Sequence, residues 1–133
     1  MTAPIVALYA ALLALLFFAL SVRTFRLRRR LRIAVGDGGN PEMLRAMRVH
    51  ANFAEYVPLA LLLVWLAESA GAAAWLVHAL GASLLAGRLA HAWGVSRRRE
   101  DFRFRVFGMT MTFATLLGAA AVLLAAWLAQ AAG

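Results

Sequence analysis

Between Arg48 and Pro58 the chain reads Arg48-Val-His50-Ala-Asn52-Phe-Ala-Glu55-Tyr56-Val-Pro58, and this set of polar side chains runs straight into an apolar stretch. These residues are the first candidates for chemistry, because an arginine or carboxylate near the middle of a bilayer costs about 3 kcal/mol on insertion scales. On a helix, at about 100° per residue, Arg45, Arg48, Asn52, Glu55 and Tyr56 fall within an arc of about 100°, and His50 falls almost opposite. That face could receive a ligand with a negative charge for the arginines and a cation or donor for Glu55. It could equally bind helices together, its polar groups satisfying one another across interfaces. Pro58 removes the helical partner of the Ala54 carbonyl and clashes with it, which predicts a kink beside Glu55.

The elements that must position this face are membrane helices. The chain has 133 residues, 64% hydrophobic and only 15% charged, a composition that belongs to membrane proteins. Apolar runs at Ala3 to Val22, Phe53 to Leu66, Ala72 to Leu85 and Val106 to Gln130 predict four transmembrane helices, over about 3–30, 41–69, 72–94 and 104–130. The fold class is therefore all-α, an integral membrane four-helix bundle forming one domain. The second helix should start at Pro41, with Asn40 as its N-cap and Glu42 in its first turn. From there to Glu68 it spans about 42 Å, so its first turns must project beyond the hydrocarbon.

The first apolar run has no basic residue before it and a dense arginine cluster after it, the reverse of a secretory signal. Loop 1, Arg23 to Arg48, holds eight arginines against Asp37 and Glu42, and loop 3, Gly94 to Arg105, holds five against Glu100 and Asp101. By the positive-inside rule these loops are cytoplasmic and both termini lie on the opposite side. The compact chain, rich in arginine and alanine, points to a bacterial inner membrane. The net charge of +8 does not imply nucleic acid as a partner. Topology and anionic membrane lipid explain arginines beside membrane helices, and no aromatic stacking platform accompanies them.

There is no cysteine, so disulfides, thiolate metal sites and a cysteine nucleophile are excluded. His50, His78 and His91 are too scattered to read as a metal site, and His78 in its apolar helix reads as an interhelical hydrogen bonder. On the third helix Arg88 and His91 share a face at i,i+3, and Ala79, Ser83 and Gly87 form a small-residue stripe suited to close packing. Arg103 and Arg105 stand at the entrance of the fourth helix, whose Thr110, Thr112 and Thr115 should bond back to their own backbone. The polar groups of helices 2, 3 and 4 and the arginines after helix 1 all fall at one membrane face, which describes a ligand site.

The eleven residues Arg48-x-His50-x-Asn52-x-x-Glu55-Tyr56-x-Pro58, in a four-helix chain of this length and charge layout, resemble the membrane-associated proteins in eicosanoid and glutathione metabolism, the MAPEG family. The resemblance implies a homotrimer with glutathione as cosubstrate, bent between neighbouring subunits near the cytoplasmic face. It implies that Arg48, Asn52, Glu55 and Tyr56 contact glutathione, Glu55 at its amine and the arginines at its carboxylates. It also implies that His50 reaches the neighbouring protomer's site, that Arg26, or Arg28 with a small shift of register, serves the neighbour, and that Arg88 joins the set. Arg105 resembles the arginine that stabilises the glutathione thiolate, with Arg103 as its competitor. The implied activity is that of a glutathione transferase or peroxidase acting on lipophilic electrophiles, in which a guanidinium favours the charged thiol. His91 and Val95 stand where family enzymes carry tyrosines, and no serine or tyrosine follows Arg105. Both departures argue against prostaglandin or leukotriene synthesis. Two other classes fit parts of the pattern: a proton-coupled transporter using Glu55, and a non-catalytic structural membrane protein.

Overall fold

The computed structural model describes residues 4–97, 99 and 101–132. Four helices account for nearly all of them: α1 Ile5–Leu31, α2 Pro41–Ser69, α3 Ala74–Ser96 and α4 Phe102–Ala131. Local capping chemistry sets several of these limits. Asn40 accepts from the N–H groups of Glu42 at 2.9 Å and Met43 at 3.1 Å, with Pro41 in the first turn, so α2 starts where the asparagine and proline direct. Asp101 accepts from the Arg103 N–H at 3.0 Å, which starts α4 at Phe102 rather than 104. At the start of α3, Ala72 donates to Ala67 at the end of α2 and Ala73 is extended, which delays that helix to Ala74. α2 continues as a helix through Pro58.

The N-terminus of α1 has no cap of its own. Glu68, in the last turn of α2, supplies it, accepting from the N–H of Ile5 at 2.6 Å and of Val6 at 2.9 Å. A carboxylate placed there satisfies two of the four N–H groups that a helix start leaves open and lies at the positive end of the helix dipole.

α3 touches all three other helices, whereas α1 and α4 do not meet. The α3·α4 crossing is the tightest. A Cβ added at Gly108 would come within 2.5 Å of the Gly87 carbonyl oxygen, and one at Gly87 within 2.9 Å of the Gly108 oxygen. The two backbones are therefore in direct contact, as small residues permit in a membrane. Ser83 and Gly87 belong to this contact, Ser83 donating to the Met111 carbonyl at 3.2 Å. Ala79 is exposed; the line of contact instead climbs through Leu80, whose carbonyl accepts from Thr115 at 3.2 Å. Thr110, Thr112 and Thr115 do bond back to carbonyls four residues earlier.

α1, α2 and α4 are long and apolar enough to cross a membrane by length and composition. α3 is also long, at 23 residues, or about 34 Å, but His78, Arg88 and His91 dilute its apolar character. Its ionisable groups nearest the arginine-rich end turn inward: Arg88 is 1% exposed and His91 5%. Trp75, Leu89 and Trp93 remain outside, the tryptophans near its two ends as in the aromatic belts of membrane proteins. The chain is thus an all-α membrane bundle whose polar groups gather around one interior helix.

Candidate functional site

A cavity of about 190 Å³ opens at the arginine-rich end, between α2, α3 and α4. Arg45, Arg48 and Asn52 reach it from α2, His91 from α3 and Arg105 from α4. Leu44 and Val95 form its apolar wall. No carboxylate among the described residues lines it. Arg88 lies beside it, held by Nη1 donating to Asn52 Oδ1 at 2.8 Å, with Nη2 3.9 Å from the Met109 sulfur. Its Nε has no hydrogen-bond partner, and no carboxylate among the described residues pairs with it. A buried guanidinium without a counter-charge is costly unless something anionic approaches it. The lining adds further cations and donors rather than a counter-charge, an arrangement with the chemistry to receive an anion.

Backbone contact locates two of these groups. α4 presses on His91 through Gly108, where an added Cβ would come within 2.7 Å of the His91 Cβ. Gly94 in turn lets Phe104 and the Arg105 backbone close in; a Cβ there would stand 2.6 Å from the Phe104 Cβ. This crossing places Arg105 on the cavity wall. Arg103 is exposed and absent from that wall. The Arg105 guanidinium also lies 5.9 Å from the Phe102 ring centroid.

The polar face of α2 is divided. Asn52 turns inward to Arg88, whereas Glu55 is exposed on the outer surface, with no hydrogen-bond or ion-pair partner among the described residues. Tyr56 is half-buried and meets the edge of Phe113 on α4, ring centroids 5.6 Å apart. His50 faces α1, where Ser21 Oγ lies 3.0 Å from its Nε2 and Phe17 stacks on its ring at 4.7 Å. Arg26 lies in a separate groove of about 500 Å³ along α1, with Arg23 and Arg30. Arg28 turns to the loop and donates to the Gly36 carbonyl at 2.8 Å. Within one chain, then, Arg48, Asn52, Arg88 and Arg105 come together, while Arg26, His50, Glu55 and Tyr56 stand apart from the cavity.

Two polar lining residues, Arg45 and His91, were not among the ligand contacts that the resemblance implies. Arg45 lies on the same α2 face as Arg48 and Asn52, and His91 lies one turn beyond Arg88, so helical periodicity carried a signal for both.

The bundle and its basic end define an integral membrane protein with an arginine-lined cavity between its helices. The MAPEG family matches residues 6–130, nearly the whole chain, and the chain belongs to that family. It is 47% identical over 111 residues to the inner membrane protein YecN of Escherichia coli (strain K12), covering 84% of this chain and 83% of the relative. The same holds for YecN of Escherichia coli O6:H1 (strain CFT073).

Proposed function

We propose that this chain binds glutathione as a homotrimer in the bacterial inner membrane and transfers it to lipophilic electrophiles, with the arginine-rich loops in the cytoplasm. The observation that carries the reading is the cavity walled by Arg45, Arg48 and Arg105, lined by no carboxylate among the described residues, with Arg88 and its unpartnered Nε beside it. Glutathione brings two carboxylates, one amine and a thiol. Arg48, Asn52 and Arg88 suit its carboxylates, since guanidinium binds carboxylate in a bidentate fork. Glu55, exposed on the outside of its own protomer, suits the amine of a ligand lying between two subunits. Tyr56 lies one residue further along the same face. In this arrangement the neighbouring protomer's copies of Arg26 and His50 complete the site. The name of the similar Escherichia coli protein supports the inner-membrane assignment, and the position of Arg105 on the cavity wall supports it over Arg103 as the thiolate partner.

Glutathione supplies the nucleophile when bound. The chain supplies position, a local positive potential that favours the thiolate, and access from lipid for the greasy partner.

Calorimetric titration of glutathione into the detergent-purified protein tests this reading, with Arg48→Ala and Glu55→Gln alongside. The expected result is saturable binding at one site per protomer, weakened at least tenfold in both variants. An absence of binding at millimolar glutathione would overturn it, and proton-coupled flux abolished by Glu55→Gln would put a transporter in its place.

A further inference from the structure

The end of α1 and the loop after it form a second concave surface, on a different face of α1 from the Arg26 groove. It is a groove of about 420 Å³ lined by Phe25, Arg28, Arg29, Arg32, Ile33 and Ala34. Its shape is held by local structure. Arg32 adopts the left-handed conformation at φ 55° and turns the chain back, Ile33 donates to the Arg28 carbonyl at 3.1 Å, and the Arg28 side chain donates to Gly36. Ile33 anchors the loop on the Leu27, Met43 and Ala46 cluster.

The charge and the greasiness of this surface point to one ligand. Arg30 pairs with Glu42 at 2.9 Å, but Arg29 and Arg32 have no carboxylate partner among the described residues. Arg29 lies over the Phe25 ring at 5.8 Å. Membrane topology accounts for arginines here, yet it does not account for the apolar side chains exposed among them. Phe25 is 61% exposed, and Val35, beside the groove, 88%. From Ile5 to Phe25 the helix rises about 30 Å, the thickness of the hydrocarbon layer, so Phe25 sits at its edge and Arg28 to Arg32 at headgroup depth.

We propose that this groove is a binding site for an anionic phospholipid, with Arg29 and Arg32 on the phosphate and the glycerol and first acyl carbons along Phe25, Ile33 and Ala34. The excess of arginine over acid in this loop favours a lipid of net negative charge over a zwitterionic one. The site is independent of the ligand assigned to the cavity.

The test titrates phosphatidylglycerol, phosphatidylcholine and inorganic phosphate separately into the full-length protein in neutral detergent, following the thermal transition and the mass of the assembly. Arg29→Gln/Arg32→Gln is compared with Arg97→Gln/Arg99→Gln, which removes the same charge at the same membrane face. Phe25→Ala probes the apolar wall. The expected result is stabilisation by phosphatidylglycerol beyond that by phosphatidylcholine, with apparent affinity reduced roughly thirtyfold in the Arg29/Arg32 variant. Phe25→Ala should weaken it several-fold, and the Arg97/Arg99 variant should behave as wild type. Equal losses in the two arginine pairs would overturn the proposal in favour of diffuse attraction. Stabilisation by inorganic phosphate alone would make the site one for a free anion. A change of oligomeric mass in the Arg29/Arg32 variant, without a change in lipid response, would make the surface a contact between copies.

Discussion

Both ends of the bundle carry buried or half-buried polar groups and treat them in different ways. At the end away from the arginines, each is answered within the chain. Glu68 accepts from the two N–H groups that open α1, Tyr9 Oη lies 3.0 Å from His78 Nδ1, and Thr115 and Ser83 donate to carbonyls across or along the helices. At the basic end, Arg88 is 1% exposed yet has one hydrogen bond to an amide, a distant sulfur and an orphaned Nε. Arg45 and Arg48 face the same cavity, and Glu55 stands outside without a partner among the described residues. Polar groups that satisfy one another stabilise a bundle. Polar groups left open at 1% exposure are retained for something that arrives from outside. The contrast separates polarity that holds the bundle together from polarity that the chain leaves open.

The sharpest way to break that contrast is Arg88→Met. If the basic end is a site, this change lowers glutathione affinity by about a hundredfold, as expected when one partner of a buried charge contact is lost. It should leave the thermal midpoint of the ligand-free protein unchanged or higher, because a buried cation without a counter-charge opposes folding. Calorimetry and a thermal scan of the same preparation read both quantities. A lower midpoint with affinity intact would make Arg88 a structural residue and erase the difference between the ends.

Glu68→Ala is the reciprocal experiment and should be smaller. It removes two charge-assisted hydrogen bonds and the acid at the start of α1, a loss of about 2 kcal/mol in stability. Glutathione affinity should stay within twofold of wild type, since Glu68 lies at the opposite end of α2 from the cavity. Glu68→Gln should recover part of the loss, because a neutral carbonyl oxygen still accepts one N–H. A binding defect in either variant would mean that the ends are coupled through α2.

What the sequence made legible follows the same division. The N-cap at Asn40 and Pro41, the four helices and the back-bonding threonines depend on neighbours within a turn, and periodicity or capping chemistry is enough to read them. The polar face of α2 was legible as a face, but not the direction in which each part of it points. Asn52 turns inward only because Arg88 waits on α3, and Glu55 stays outside because no helix of the same protomer covers it. Arg103 and Arg105 could not be separated by spacing, since loop 3 leaves the register open. The close approach of Phe104 to Gly94 separates them. Periodicity put His91 on the face of Arg88, but the close approach of the α4 backbone to it at Gly108 is a contact between helices that no single-helix pattern encodes.

The smallest expected effect tests whether the satisfied end owes its stability to many small terms. Tyr9 makes an edge contact with the His78 ring, centroids 5.9 Å apart, and lies so close against α3 that a Cβ at Gly81 would collide with its ring. Tyr9→Phe keeps that packing and deletes only the hydroxyl. Hydrogen bonds between membrane helices average about 0.6 kcal/mol in mutant cycles, so the thermal midpoint should fall only slightly, and the double variant Tyr9→Phe/His78→Ala should be no worse than His78→Ala alone. Such non-additivity would mark the pair as one interaction. A fall as large as that of Glu68→Ala would mean that the hydroxyl also holds groups beyond His78, and the satisfied end would then be a connected network rather than a set of separate pairs.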